Sequence, residues 1–235
     1  MIFLLAAALA VAAPASTGGQ PATPCPEAAT PEALVCQALQ AERNGNHASA
    51  AASFEQAAKA SSEKDSKTAR MWAAAGNLWI AAKQPGKAAV DLDKALALPG
   101  LEAEQRGEAL LDRARAAEAQ DDLKTARAKA NEAAATISAD PFYWYFSAAL
   151  AIRENDPATA QKAIDKALSL APSDPTLLFE AGHVADLAGD DEKARSYWTR
   201  AAAADPSGAA GKAAAKAIEL LGVTPTVKLD SRSPK

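Results

Sequence analysis

Two stretches in the C-terminal half carry the same order of large, small and polar positions without a gap. One runs from Asp140-Pro141 to Ala171-Pro172 and the other from Asp174-Pro175 to Asp205-Pro206, with 34 residues between equivalent positions. Trp144 matches Leu178, Ala148 matches Gly182, Ala160 matches Ala194, Ile164 matches Trp198 and Ala167 matches Ala201. Each stretch is broken once, at Asn155-Asp156-Pro157 and at Ala188-Gly189-Asp190, so each predicts two helices joined by a tight turn. Pro172 and Pro206 stop the second helix because proline cannot continue its hydrogen-bond ladder. Asp140 and Asp174 stand as N-caps, with Pro141 and Pro175 at the first helical position. No segment alternates with a period of two and β-branched enrichment, so no sheet is expected.

The same skeleton reappears upstream. It reads Leu110, Ala114, Ala126, Ala130, Ala133 with Ser138 in the proline place, and Trp72, Gly76, Trp79, Ala88, Leu92, Ala95 with Gly100 there. A first copy reads Leu34, Ala38, Ala50, Phe54, Ala57, set off by four surplus residues assigned to the polar stretch Ser61 to Thr68. Turn breakers accompany these copies at Asn44-Gly45-Asn46, Gln84-Pro85-Gly86 and Gln120-Asp121-Asp122. A 34-residue period with two helices per unit and these columns resembles the tetratricopeptide-repeat family. The resemblance covers residues 31 to 208, divided as 31–66, 69–102, 103–139, 140–173 and 174–207. It implies an all-α, right-handed α-solenoid of about five helix hairpins. Small residues let the two helices of a hairpin approach closely, and a larger side chain at Gly182 or Ala201 costs roughly 1–3 kcal/mol. Residues 208–222 read as a helix capping the array, with Ala214, Ile218 and Leu221 on its apolar side, and residues 223–235 as a flexible tail.

Composition adds export. Residues 1–15 hold an apolar run too short to span a bilayer, ending in the small-x-small pattern Ala13-Pro14-Ala15, and read as a signal peptide; residues 16–30 read as a Pro-rich strap. No Lys or Arg precedes the run. The expected location is the periplasm, with no stable membrane insertion once the leader is removed. Cys25 and Cys36 permit a disulfide pinning the strap to the first helix, or a free, buried Cys36. Both readings remain open. The net charge of -4, with both signs mixed along the chain, lacks the basic stripe that nucleic-acid binding needs.

The chain shows no catalytic constellation: no HExxH, no GxSxG and no glycine-rich phosphate loop after a strand. The carboxylates Asp121-Asp122 and Asp190-Asp191 read as charges at helix N-termini. His47 and His183 lie four units apart, so no metal site, cofactor or catalytic residue is assigned. The family resemblance implies a concave groove lined by positions 2, 5, 9 and 12 of each first helix. Those positions supply Arg70, Ala73, Asn77 and Ile80, then Glu108, Leu111, Arg115 and Glu118. The last two units supply Phe142, Tyr145, Ala149 and Ile152, then Thr176, Phe179, His183 and Asp186. Asn77 and Arg70 partly match the Lys/Asn/Arg clamp with which some members hold a terminal carboxylate, but the lysine is missing from the matching first-unit place and Arg115 stands alone. Phe142 and Phe179 are read either as anchors for a partner or as inter-repeat core; Trp72, Trp144 and Trp198 are read as core. The expected function is a non-catalytic scaffold binding a protein or peptide in the cell envelope. The alternatives are an oligomerising or spacer solenoid with no groove ligand and, behind it, an enzyme or small-molecule binder.

Overall fold

A computed structural model describes residues 25–221. The segment expected to be a signal peptide, most of the expected strap and the expected tail lie outside the described residues. Within them the chain forms eleven helices and no strand. They pair as α1 (Pro31–Arg43) with α2 (His47–Ala60), α3 (Ser66–Ala81) with α4 (Pro85–Ala97), and α5 (Ala103–Glu118) with α6 (Leu123–Ile137). Next come α7 (Pro141–Arg153) with α8 (Pro157–Leu170) and α9 (Pro175–Leu187) with α10 (Asp191–Ala204), and α11 (Ala209–Leu221) covers the end.

Each hairpin turns in the same way. Gly45, Lys83, Asp121, Asn155 and Gly189 all take a left-handed conformation, with φ between 57 and 77°. The next residue (Asn46, Gln84, Asp122, Asp156 or Asp190) donates its N–H back to a carbonyl in the last turn of the first helix at 2.8–3.0 Å. This is the Schellman closure, which satisfies carbonyls the helix end would otherwise leave open. Except at Gln84, the same residue's side chain accepts from a backbone N–H of the second helix, Ser49, Thr125, Thr159 or Lys193, at 3.0–3.1 Å. One residue thus ends the first helix and caps the second, which fixes the angle between them. The turn expected at Gln84-Pro85-Gly86 is shifted: Lys83 makes the reversal, and Pro85 already starts α4.

The small columns are buried throughout. Ala38, Ala50, Ala57, Ala88, Ala95, Ala114, Ala126, Ala133, Ala160, Ala167, Ala194 and Ala201 are all 0% exposed. Where the first helix carries glycine, the facing residue fills the space. A Cβ on Gly76 would lie 2.5 Å from Leu92 Cγ, and one on Gly182 would run into the Trp198 indole. That indole also donates Nε1–H to the Phe179 carbonyl at 3.0 Å. Trp144 departs from the expected core role. It is only partly buried, bridges two core clusters and donates to the Ser138 carbonyl at 2.7 Å, while neighbouring Tyr143 and Phe146 are buried.

The stride differs from the expected one at a second place. Trp72 to Leu110 is 38 residues, as is Leu34 to Trp72. The additional residues lengthen the first helices, α3 and α5 having 16 residues against 13 in α1, α7 and α9. The first helices also lie on the crowded side of the stack: α3 touches α5, α7 touches α9 and α9 touches α11, whereas among the described residues no two second helices touch comparably. A stack whose first helices converge is concave on that side. At its start, Cys25 and Cys36 form a disulfide with Cα atoms 5.7 Å apart, and Gln37 donates to the Pro26 carbonyl at 3.0 Å, so the strap's end is tied to α1. At the other end α11 buries Gly211 and Ala214 against α10 and packs Ile218 and Leu221 on the same cluster.

A charged cluster sits among α2, α3 and α4. Glu55 accepts from Trp79 Nε1 at 2.7 Å and from Lys59 Nζ at 2.8 Å. Asp91, 2% exposed, pairs with Lys94 at 3.2 Å, and its Oδ2 receives no hydrogen bond from the described residues. The Lys94 ammonium lies 3.9 Å from the centre of the Trp72 ring, and Lys59 approaches the same ring at 5.8 Å. Burial lifts the Asp91 carboxyl to about 6, against the pull of Lys94 and with help from the Glu55 charge. Burial also pushes Glu55 up, but the bonds from Lys59 and Trp79 outweigh it and hold that carboxyl below its ordinary value.

This packing makes three quantities measurable. Gly182→Ala should lower stability by roughly 1–3 kcal/mol, read by thermal or urea unfolding, because the indole has to move. Lys83→Gly should raise it by about 1 kcal/mol by relieving a left-handed non-glycine residue. Because Asp91 binds its proton more tightly folded than unfolded, its contribution is fully present below its ordinary value near 4 and is lost as pH rises to about 6. Glu55 acts oppositely and at lower pH, its contribution being lost as pH falls through its lowered value. Urea midpoints of Asp91→Asn should therefore lack the decline that the parent shows between about pH 4 and 6.

Candidate functional site

The concave side holds two adjoining hollows. The larger, about 550 Å³, lies between α3, α5 and the start of α7, walled by Arg70, Asn77, Leu101, Gln105, Glu108, Leu111, Asp112, Arg115, Asp140 and Phe142. The smaller, about 190 Å³, continues between α7 and α9 under Pro141, Phe142, Tyr145, Asp174, Thr176 and Leu177. Phe142 and Asp140 belong to both, so the hollows form one track across the first helices.

Local structure sets this track. Asp140 accepts from the Phe142 N–H at 2.9 Å, and Asp174 accepts from Thr176 and Leu177 at 2.8 and 2.9 Å. These caps hold the starts of α7 and α9 open at the rim. Phe142 then stacks on Tyr145 with ring centres 5.8 Å apart, and the Arg115 guanidinium lies 5.5 Å from the Phe142 ring. Within the larger hollow, Asp112 takes up two of the expected donors: Asn77 Nδ2 and Arg115 Nη1 each reach its carboxylate at 2.7 Å. The exposed Arg70 makes no such pair among the described residues. Arg153, at the end of α7, is held by the carboxylates of Glu118 and Asp121 and by the Glu118 carbonyl.

Burial perturbs several acids here. It raises the Glu108 carboxyl, and the charges of Glu104, Asp112 and Asp140 raise it further. Outside the two hollows, burial pushes Glu180 on α9 up to about 7. The Tyr145 hydroxyl is raised by burial and by the Glu180 charge. Burial lowers His183 despite Asp186.

Arg70, Asn77, Arg115, Phe142 and Tyr145 thus come together along the track. Ala149, Phe179, His183 and Asp186 line neither hollow. His183 instead packs edge-on between Phe179, at 4.5 Å, and Trp198, at 5.5 Å, which makes it part of the hairpin's packing. Asn77 and Arg115 are both engaged by Asp112. Asp112 was missed; it lines the larger hollow from the place directly after groove position 5, which a four-position template skips. The spacing of Asp112 three residues before Arg115 was the signal for that ion pair. Among the described residues no group of three His, Cys, Asp or Glu is placed to hold a metal ion, and no helix is long and apolar enough to cross a membrane.

Five equally closed hairpins stacked with their first helices inward define the class: the fold is that of tetratricopeptide-repeat proteins. Among solved structures, the chain is similar to PilW, described as a type IV pilus biogenesis factor, with 18% identity over 78% of this chain and 81% of that one and a TM-score of 0.67. It is also similar to MamA (17% identity, 74% and 90% covered, TM-score 0.59) and to YrrB, described as a TPR protein with an unusual peptide-binding site (18%, 78% and 91%, TM-score 0.57). No family pattern and no curated protein sequence matches the chain.

Proposed function

We propose that this protein is a non-catalytic scaffold that binds a peptide or an extended segment of another protein along its concave first-helix face, in the cell envelope. The observation that carries this reading is the continuous track through both hollows, partly apolar and open along its length, with Phe142 at its middle. An aromatic pair such as Phe142 and Tyr145 is the kind of anchor that dominates interface energy. The peptide-binding site named for YrrB supports the same use of the fold. Export is supported by the apolar run at residues 2–13 with its small-x-small end, and by the disulfide, which persists in an oxidising compartment. The likeness to PilW, a pilus biogenesis factor, is consistent with service in envelope assembly.

Replacing Phe142, which lines both hollows, by alanine removes the anchor at the middle of the track without touching the buried small columns. Recovery of a partner cross-linked in the intact envelope should fall roughly tenfold or more, as loss of a hot-spot side chain implies, in a variant whose helical circular dichroism at the assay temperature matches the parent's. Undiminished recovery would remove the groove from the function.

A further inference from the structure

We infer that the segment this groove accepts is basic, placing lysine or arginine side chains on the aromatic track between α5 and α9. The inference rests on the groove reading and adds the chemistry of the occupant.

The groove's own cations are largely spent. Asp112 neutralises Arg115 and engages Asn77, while Glu118 and Asp121 hold Arg153. Of the arginines along the track, Arg70 at its N-terminal end has no acidic partner among the described residues. The carboxylates are not matched in return. Glu108, in the wall of the larger hollow, has acidic groups near it on α5 and at the α7 cap, in Glu104, Asp112 and Asp140, and Asp140 and Asp174 both line the smaller hollow. A ligand carboxylate entering here would meet uncompensated negative charge. A purely apolar ligand would strip water from Glu108 and give nothing back. A lysine or arginine satisfies both demands, because its aliphatic stem lies on apolar walls while its charged head reaches the rim. The smaller hollow has that form: Phe142, Tyr145, Leu177 and Pro141 make its walls, and Asp140 and Asp174 stand at its edge. The Arg115 guanidinium lies 5.5 Å from the centre of the Phe142 ring, so the track already holds one cation–π contact of this kind.

The repeat sets the spacing. Packed helices lie about 8–10 Å apart, and an extended chain advances about 3.3 Å per residue. Successive first helices that touch only lightly, as α7 and α9 do with α8 packed on both, lie no closer than packed helices do, so basic residues at least about three positions apart meet them in turn.

The test uses the full chain with its disulfide intact and two fluorescein-labelled alanine-based peptides, one with lysine and one with glutamate at every third position, read by fluorescence polarisation. The lysine peptide should bind, with affinity falling as salt rises. Binding should weaken about tenfold in the Glu108→Gln/Asp174→Asn double variant, in which asparagine can still cap α9, and the glutamate peptide should not bind. Both substitutions keep the side-chain shape, and an unchanged melting temperature separates loss of binding from loss of fold. Equal affinity of parent and double variant for the lysine peptide, or equal binding of the two peptides, would overturn the inference. Failure of the lysine peptide together with loss of cross-linked partner in the Phe142→Ala variant would overturn the basic occupant and leave the groove reading standing. Binding that emerges only after removal of residues 222–235, which carry Lys228, Arg232 and Lys235, would make that segment the occupant and overturn a separate partner.

Discussion

The structure depends on how closely two helix axes can approach. At three columns in each unit the side chain is alanine or glycine, and these positions are buried without exception. Alanine contributes little apolar area, so such a core cannot rely on large side chains meeting in one centre. It relies on many short-range contacts between helices brought close together. The large residues are rationed to the column that faces the small one. Leu92 lies against Gly76, Ile164 serves the hairpin of Ala148, and Trp198 lies against Gly182. The pairing lets an indole and a glycine occupy the space that two aliphatic residues fill elsewhere.

Close approach within a hairpin would give only a helix pair if each pair turned differently. The left-handed residue makes the five turns equivalent, and repetition of one turn converts local geometry into a regular stack. Because the first helices converge, that stack has an inside. The helix starts at α7 and α9, held by Asp140 and Asp174, then open the inside into hollows. The groove is therefore a consequence of the same small columns, and its charge is set by residues that the columns leave free to vary.

Much of this was legible in the chain. The small columns, the two proline stops and the N-capping aspartates have strict positional requirements, so they identify the hairpins from residue types alone. The second surplus of residues and the reversal at Lys83 were not legible, because a helix extended by one turn keeps its side chains in register and lysine gives no local sign of a left-handed conformation. The groove was half legible. Arg70, Asn77, Arg115, Phe142 and Tyr145 lie where the resemblance implies, but what they do there depends on neighbours. Asp112 reaches across from α5 to Asn77 on α3, and His183 turns toward Trp198 rather than into a hollow. Pairings between separate helices depend on side-chain direction, which a column of residue types does not carry.

Small and large residues are matched where the helices of a hairpin cross, and a double-mutant cycle at Gly182 and Trp198 tests that match most directly. Urea unfolding of Gly182→Ala, Trp198→Leu and the double variant gives the coupling between the two sites. If the crossing is set by that match, the smaller side chain at 198 makes room for the added methyl. The double variant should then be more stable than the sum of the single losses predicts, by about 1–2 kcal/mol. Strictly additive losses would contradict it, since the glycine and the indole would then not be sharing one space.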